Sequence, residues 1–275
     1  QHYQPVRPST HYPRDRCLKP QPIPKIFPHK TKILFTDVDD TLTWKGRLPH
    51  EAFTALVKLQ EAGIKVIPVT GASAGWCDCM IRTWPIDSII GENGAYFVDR
   101  NSEGRLSYYY ALSNDERSSN WQRLLQLKKD VLNKFPSAHS TADQPFRLTD
   151  IAFDINQDHK VERSEAFKIA NFCEASGMNV KISSIHINVW CGEYNKASTA
   201  NEWLLQHEIE RSQAMFIGDS PNDDSMFSNF DHTVGVANIK PFIDELNSPP
   251  CYITQRSGGY GFAEMAKSLM AGHQA

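Results

Sequence analysis

Three aspartates, Asp37, Asp39 and Asp40, fall within four positions directly after the apolar run at 33–35. Like charges repel, and a buried strand end is a poor place to lose hydration, so the stretch calls for a cation. Residues two apart leave a strand on the same side. Asp37 and Asp39 therefore face one point beyond its carboxyl end, where the ligands of parallel sheets bind. A calcium loop of the EF-hand kind starting at Asp37 would need Gly and Glu where the chain has Leu42 and Leu48. A plainer alternative is an acidic loop that caps the next helix. Magnesium takes few carboxylates and leaves positions for water and a substrate phosphate, so a magnesium site here requires a second acidic cluster at another strand end. "MFIGDSPNDDSMF" supplies one: an apolar run ends at Gly218 and is followed by Asp219, Asn222, Asp223 and Asp224.

The elements that must carry these residues alternate. "KILFTDV" reads as a buried strand, "LPHEAFTALVKLQEAG" as a helix stopping at Gly63, and "IKVIPVT" as a second strand. A helix over 74–83, ended by Pro85, precedes a third strand, "IDSII". The alternation returns in "AMFIGDS", "TVGVA" and "CYIT", with helical stretches near 221–229 and 240–246 and a last amphipathic helix over 261–270. Strand–helix–strand repetition implies right-handed crossovers and an α/β fold, a doubly wound, mostly parallel, Rossmann-like core sheet.

The middle of the chain has another period. "DIAFDIN" and "IHINVW" alternate, with Ile187 and Val189 on one side and His186, Asn188 and Trp190 on the other. Such strands belong to a sheet with one face on helices and one face open. Helices over 115–135 and 162–176 can cover the apolar side. The expected organisation is a Pro-rich basic arm over 1–30, a core domain over 31–94 and 191–275, and an inserted α/β cap over 95–190.

Composition agrees with a globular enzyme-sized chain. Its 275 residues are 40% hydrophobic, ample for a core plus an insertion. The net charge of -3 conceals a basic arm, so the body is more acidic still and offers no surface for nucleic acid. The longest apolar runs fall short of the ~18–20 residues of a membrane span, and the start has no apolar signal core, which makes the cytoplasm the expected compartment. The six cysteines are scattered, and the C-x-C of Cys77 and Cys79 matches no zinc spacing; they read as reduced thiols.

Taken in order, D-x-D-D-T-L-T after a strand, a strand ending in V-T-G, the lysine of "NKAST" and G-D-S-x-N-D-D resemble the motifs of the haloacid dehalogenase superfamily of phosphatases. The insertion, preceded by "GENGA", resembles the cap of the subgroup that includes sugar-phosphate and sucrose-phosphate phosphatases. The resemblance covers 31–270 and implies a Mg2+-dependent phosphomonoesterase acting on a small phosphorylated metabolite. It implies Asp37 as nucleophile and Asp39 as general acid and base. Thr70 and Gly71 would hold the phosphoryl group, with Lys196 neutralising its charge and Asn222 orienting the set. The metal would lie among Asp37, Asp39, Asp219 and Asp223. Substrate contacts are expected from Asn93, His186, Asn188 and Trp190. Many relatives read T-G-R where this chain has Thr70, Gly71 and Ala72, so a cation is missing there.

Other readings compete. The same aspartates would serve a phosphomannomutase-like transfer. "GASAG" fits the G-x-S-x-G elbow of a serine esterase, with Ser73 attacking and His232 or His273 completing a triad, but that reading leaves both aspartate clusters unexplained. A phosphosugar-binding protein without turnover would have no use for an acid two residues beyond a nucleophile.

Overall fold

A computed structural model describes residues 19–273. Ile33–Thr36 lies in a six-stranded parallel sheet, flanked by Lys65–Pro68 on one side and Ala214–Gly218 on the other. His232–Gly235, Tyr252–Ile253 and Gln21–Pro22 continue the sheet outward, every pair parallel. Strands buried on both faces must be apolar on both, and they are. Leu34 packs with Leu56, Leu59 and Phe262 from the helices His50–Glu61 and Gly258–His273. Ile33 and Phe35 pack with Trp203 and Phe227 from Lys196–Gln206 and Asp224–Asn229 on the opposite face.

Three of the chemical clusters of the sequence leave this sheet at its carboxyl edge, and the lysine motif opens the helix that follows the cap strand His186–Trp190. The backbone N–H of Asp37 still donates to Ile217 O (2.9 Å), so the first and fourth motifs are stitched together at the last ladder position. On the neighbouring strand, Val69 N donates to Thr36 O at 2.8 Å, and Thr70 follows.

The insertion is an antiparallel sheet in the order His139–Ser140, Asp150–Asp154, His186–Trp190, Asn179–Ile182. Asn114–Lys134 and Arg163–Ala175 cover one face, where Leu124, Val131, Ile169, Ile151, Phe153, Ile187 and Val189 form a separate apolar core. Ser113 and Glu116 close a reciprocal capping box at the start of the first of these helices.

Two boundaries differ from the sequence reading. The strand Tyr96–Arg100 pairs with Ser88–Gly91 and Leu106–Tyr110 pairs with Tyr96–Arg100, neither with the cap sheet, and Val69 bridges to Ile90, so this ribbon extends the core. Phe97 is packed among core residues, and we place the start of the cap after this hairpin instead of at 95. The arm lies largely outside the described residues, but its end over 19–30 is built in: Gln21 and Pro22 pair with the sheet edge, Phe27 is buried, and Ser268 Oγ donates to Pro24 O. Apolar Ile23 and Phe27, two among many prolines, supply the anchors.

The connection into the cap is conformationally unusual. Glu92, Asn93 and Gly94 take positive φ in succession (42°, 59° and 103°). A Cβ on Gly94 would run into Asn195 O and approach Lys196 N at 2.9 Å. Glycine is therefore required by both torsion and space, and this close approach seats the start of the helix that carries Lys196.

Candidate active site

Lys196 is the first residue of its helix, held there by Asn195, whose Oδ1 accepts from Ala197 N and Ser198 N (both 2.9 Å). Its ammonium is buried and donates to Asp37 Oδ1 at 2.6 Å and to Asp223 Oδ1 at 2.8 Å. Asp223 Oδ2 accepts from Asp219 N at 3.2 Å. The carboxylates of Asp37, Asp219 and Asp223 come within 4.8 Å of one another. Three buried carboxylates face one ammonium, so negative charge is left over. Burial, opposed by Lys196, pushes the Asp37 carboxyl up to about 8, and burial followed by repulsion from Asp37 and Asp223 pushes Asp219 well above its usual range. A hard cation with oxygen ligands fits such a donor set.

Asp39 lines the adjoining cavity, where burial, then Asp40, raise its carboxyl to about 6. That value suits a group that must give a proton and take one near neutral pH. Thr70 is fully buried behind the cavity floor; its Oγ1 accepts from Ala72 N at 3.0 Å. Gly71, Asn93 and Asn222 line the cavity, and Asn222 Oδ1 accepts from Ser220 Oγ at 2.6 Å. Asn93 is buried with its amide nitrogen unpartnered.

The cap face divides. His186 lines the cavity and pairs through Nε2 with Gln157 Oε1 at 2.6 Å; burial, then the charge of Arg147, lower it to about 4, so it is neutral at pH 7. Asn188 also lines it, but its amide is engaged by Asp150 Oδ2 (2.9 Å) and Gly71 O (3.3 Å). Trp190 is a correction. It shares the strand face expected for it, opposite Asp150, yet lies at the strand end where the cap meets the core, stacked on Tyr194 with Nε1 donating to Tyr194 O. It is packed in the apolar core cluster with Tyr194 and does not line the cavity.

The serine-esterase geometry is absent. Ser73 is buried beyond the carboxyl end of its strand, whereas His232 opens its strand at the other end of the parallel sheet, stacked on His29, and His273 bonds Thr31 O.

Several site residues escaped the sequence. Asn238 donates to Asp219 Oδ2 and Asp40 O (both 3.0 Å) and accepts from Gly258 N, tying two acidic loops together. Glu92, fully buried, accepts from Ala74 N, Leu148 N and Thr149 N. Arg147 donates to Asp143, Asp150 and Gly71 O. Asn238 follows the end of a core strand and Glu92 lies within "GENGA", which were usable signals; Arg147 carried none. The cavity encloses about 630 Å³ between the aspartates and the cap, with Trp44, Trp76 and Trp84 on the core side and Lys181, Ser183 and His186 on the cap side.

A parallel sheet carrying a buried Asp–Lys–Asp cluster at its carboxyl edge, under an inserted α/β cap, defines a capped phosphotransfer-type fold. A family model for haloacid dehalogenase-like hydrolases matches residues 34–131 and 107–248, and the chain belongs to that family. It is 25% identical over 241 residues to a phosphoglycolate phosphatase of Methanobrevibacter smithii, covering 85% of this chain and 96% of the relative. It is 28% identical over 247 residues to one of Methanosarcina mazei, covering 87% and 97%. Among solved structures, Thermoplasma acidophilum 0175 superposes with a TM-score of 0.69 at 20% identity, covering 87% of this chain and 98% of that one. The sucrose-phosphatase of Synechocystis sp. PCC6803 superposes with a TM-score of 0.64 at 18% identity, covering 86% and 96%. Among the described residues no helix is long and apolar enough to cross a membrane.

Proposed function

We propose that the protein is a Mg2+-dependent phosphomonoesterase that hydrolyses a sugar phosphate through an aspartyl-phosphate. An oxygen of Asp37 attacks phosphorus while the ester P–O bond breaks, and the carboxyl of Asp39 gives its proton to the departing alkoxide. Asp39, now a carboxylate, takes a proton from water as that water attacks phosphorus, releasing phosphate and restoring Asp37. Lys196 opposes protonation of Asp37 and stabilises charge on the phosphoryl oxygens, with the unpartnered amide N–H of Asn93 and the hydroxyl of Thr70 as further donors. Bound among Asp37, Asp219 and Asp223, Mg2+ would screen the nucleophile from the phosphate dianion.

The observation that carries the substrate class is the cavity. At about 630 Å³ it lies in the ~300–1,000 Å³ range that buries ligands much larger than a two-carbon phosphate. Its tryptophans can stack on the apolar face of a sugar ring while His186, Gln157 and Ser183 meet hydroxyls. The curated relatives act on phosphoglycolate by their names, which makes that compound the critical comparison. A phosphate-release panel of hexose phosphates, disaccharide phosphates and phosphoglycolate tests the reading. The expected result is a kcat/KM at least ~10-fold higher for a sugar phosphate than for phosphoglycolate, about 1.4 kcal/mol of discrimination. Preference for phosphoglycolate overturns the sugar assignment, and an isomerised sugar phosphate in place of free phosphate points to mutase chemistry.

A further inference from the structure

One peptide unit links the cap to the phosphate side of the site. Its nitrogen end is Ala72 N–H, which donates to Thr70 Oγ1 at 3.0 Å. Its oxygen end is the Gly71 carbonyl, which accepts from Arg147 Nη1 at 3.0 Å and from Asn188 Nδ2 at 3.3 Å, both from the cap. Neither donor is free to wander. Asp150 takes Arg147 Nη1 at 2.9 Å and Asn188 Nδ2 at 2.9 Å, and Asp143 takes the Nε and Nη2 of the same guanidinium at 3.2 and 3.0 Å. Arg147 and Asp150 are both buried.

The rest of the segment is clamped alongside. Leu148 N and Thr149 N donate to Glu92 at 2.9 and 2.7 Å, and the same carboxylate accepts from Ala74 N at 3.0 Å. Phe146 lies so close over Gly75 that a Cβ there would sit 2.8 Å from Phe146 Cβ. The cap loop thus docks across 71–75, with its one cation aimed at the Gly71 carbonyl.

A hydroxyl has one proton and two lone pairs. With a lone pair of Thr70 Oγ1 filled by Ala72 N–H, its proton is left, on the reading of Thr70 as a phosphate ligand, for the bound anion. Hydrogen bonds in series polarise one another, so a guanidinium on the carbonyl strengthens the amide as a donor and the hydroxyl as the next donor in line. It also neutralises a carbonyl dipole that Gly71 would otherwise present to an incoming phosphate.

Resting on the reading of Thr70 as a phosphate ligand, we propose that Arg147 is a positioning residue which, with Asn188, couples cap closure to phosphate recognition by fixing the Gly71–Ala72 peptide. The site is assembled for the anion only when the cap loop is seated.

A double-mutant cycle tests this, read as inhibition by inorganic phosphate and as kcat and KM for p-nitrophenyl phosphate in saturating Mg2+, with Tm followed in parallel. Arg147→Lys keeps the charge but loses the fork that reaches the carbonyl and both carboxylates. It is expected to weaken phosphate inhibition and lower kcat/KM by ~10-fold, the scale of one hydrogen bond to a charged group. In a Thr70→Val background the same change is expected to cost less than ~2-fold, because the relay is already cut. Equal fold losses in both backgrounds overturn the coupling, as does a Tm drop with phosphate inhibition unmoved. Should Arg147→Lys fail to fold, Asn188→Ala removes the second donor and leaves the guanidinium with its two carboxylates. A ~3-fold weakening of phosphate inhibition, abolished by Thr70→Val, supports the proposal, and no change or an additive one refutes it. Thr70→Val alone leaving phosphate inhibition intact would instead remove the reading of Thr70 on which the proposal stands.

Discussion

Replacing Lys196 with methionine keeps the length of the side chain and deletes its charge. The ammonium lies 2.6 Å from Asp37 and 2.8 Å from Asp223, with all three groups buried. At an effective dielectric of ~20, each contact carries about 6 kcal/mol of gross attraction, set against the cost of burying the ammonium. Breaking a buried pair by removing one partner costs a net ~3–5 kcal/mol, because the remaining charges stay buried without compensation. For a chain of 275 residues the unfolding entropy is ~0.6 kcal/mol/K, so Tm should fall by roughly 5–9 °C in EDTA. In saturating Mg2+ the deficit should shrink, since a bound cation compensates the same carboxylates. Turnover of p-nitrophenyl phosphate should drop at least ~100-fold. Differential scanning calorimetry with and without metal, alongside steady-state kinetics, measures all three. A Tm within ~1 °C of wild type in EDTA, or kcat within ~10-fold, refutes the reasoning, because the lysine would then be neither compensating the cluster nor acting on the phosphate.

Two further outcomes follow from the same geometry. Asn238→Ala frees Asp219 Oδ2 and Asp40 O, so the Mg2+ concentration for half-maximal activity should rise ~10–100-fold while activity at saturating metal largely returns; an unchanged metal requirement would dissociate Asn238 from the metal loops. His186 titrates at about 4 in the fold, from burial and then Arg147, against 6.5 in the unfolded chain. Its lowered value means that the unfolded chain binds more protons below pH 6.5, so its contribution is complete above that pH and is lost as pH falls toward 4. Urea unfolding at pH 7 and pH 4.5 should show a decline in stability that His186→Gln reduces by up to ~3 kcal/mol, and parallel declines in the two proteins would contradict the shift.

How much of this could be read from the chain depends on the range of the signal. Asp37, Asp39, Asp219 and Asp223 were legible because they lie in the loops that directly follow two core strands, where local hydrophobic pattern and charge coincide. Lys196 was legible only through the motif order, since a lysine opening a helix ordinarily points to solvent; what buries it is the positive-φ turn at Glu92–Gly94 pressing against Asn195, a contact across a hundred residues. Trp190 shows the limit of alternation: the period assigned its face correctly, but whether that face meets a cavity or Tyr194 is decided by how the following loop packs back on the strand end. The hairpin over 96–110 carried no period to tell which sheet it would join, and it was settled by pairing with Ser88–Gly91, which the Val69–Ile90 bridge ties to the core. The contacts that tie the cap to the core, Arg147 to Gly71 O and Leu148 N to Glu92, span 76 and 56 positions, and composition holds no trace of such pairs.

The central claim is that Asp37 becomes phosphorylated. Enzyme mixed with p-nitrophenyl phosphate and Mg2+, quenched in acid within one turnover and treated with borohydride, should yield homoserine at position 37, because hydride reduces an acyl phosphate to the alcohol and leaves a free carboxylate untouched. Peptide mass spectrometry should find homoserine at 37 in the wild type and no such product in Asp37→Asn. An unmodified Asp37 in enzyme that has turned over, or phosphate carried on Ser73, would contradict the account.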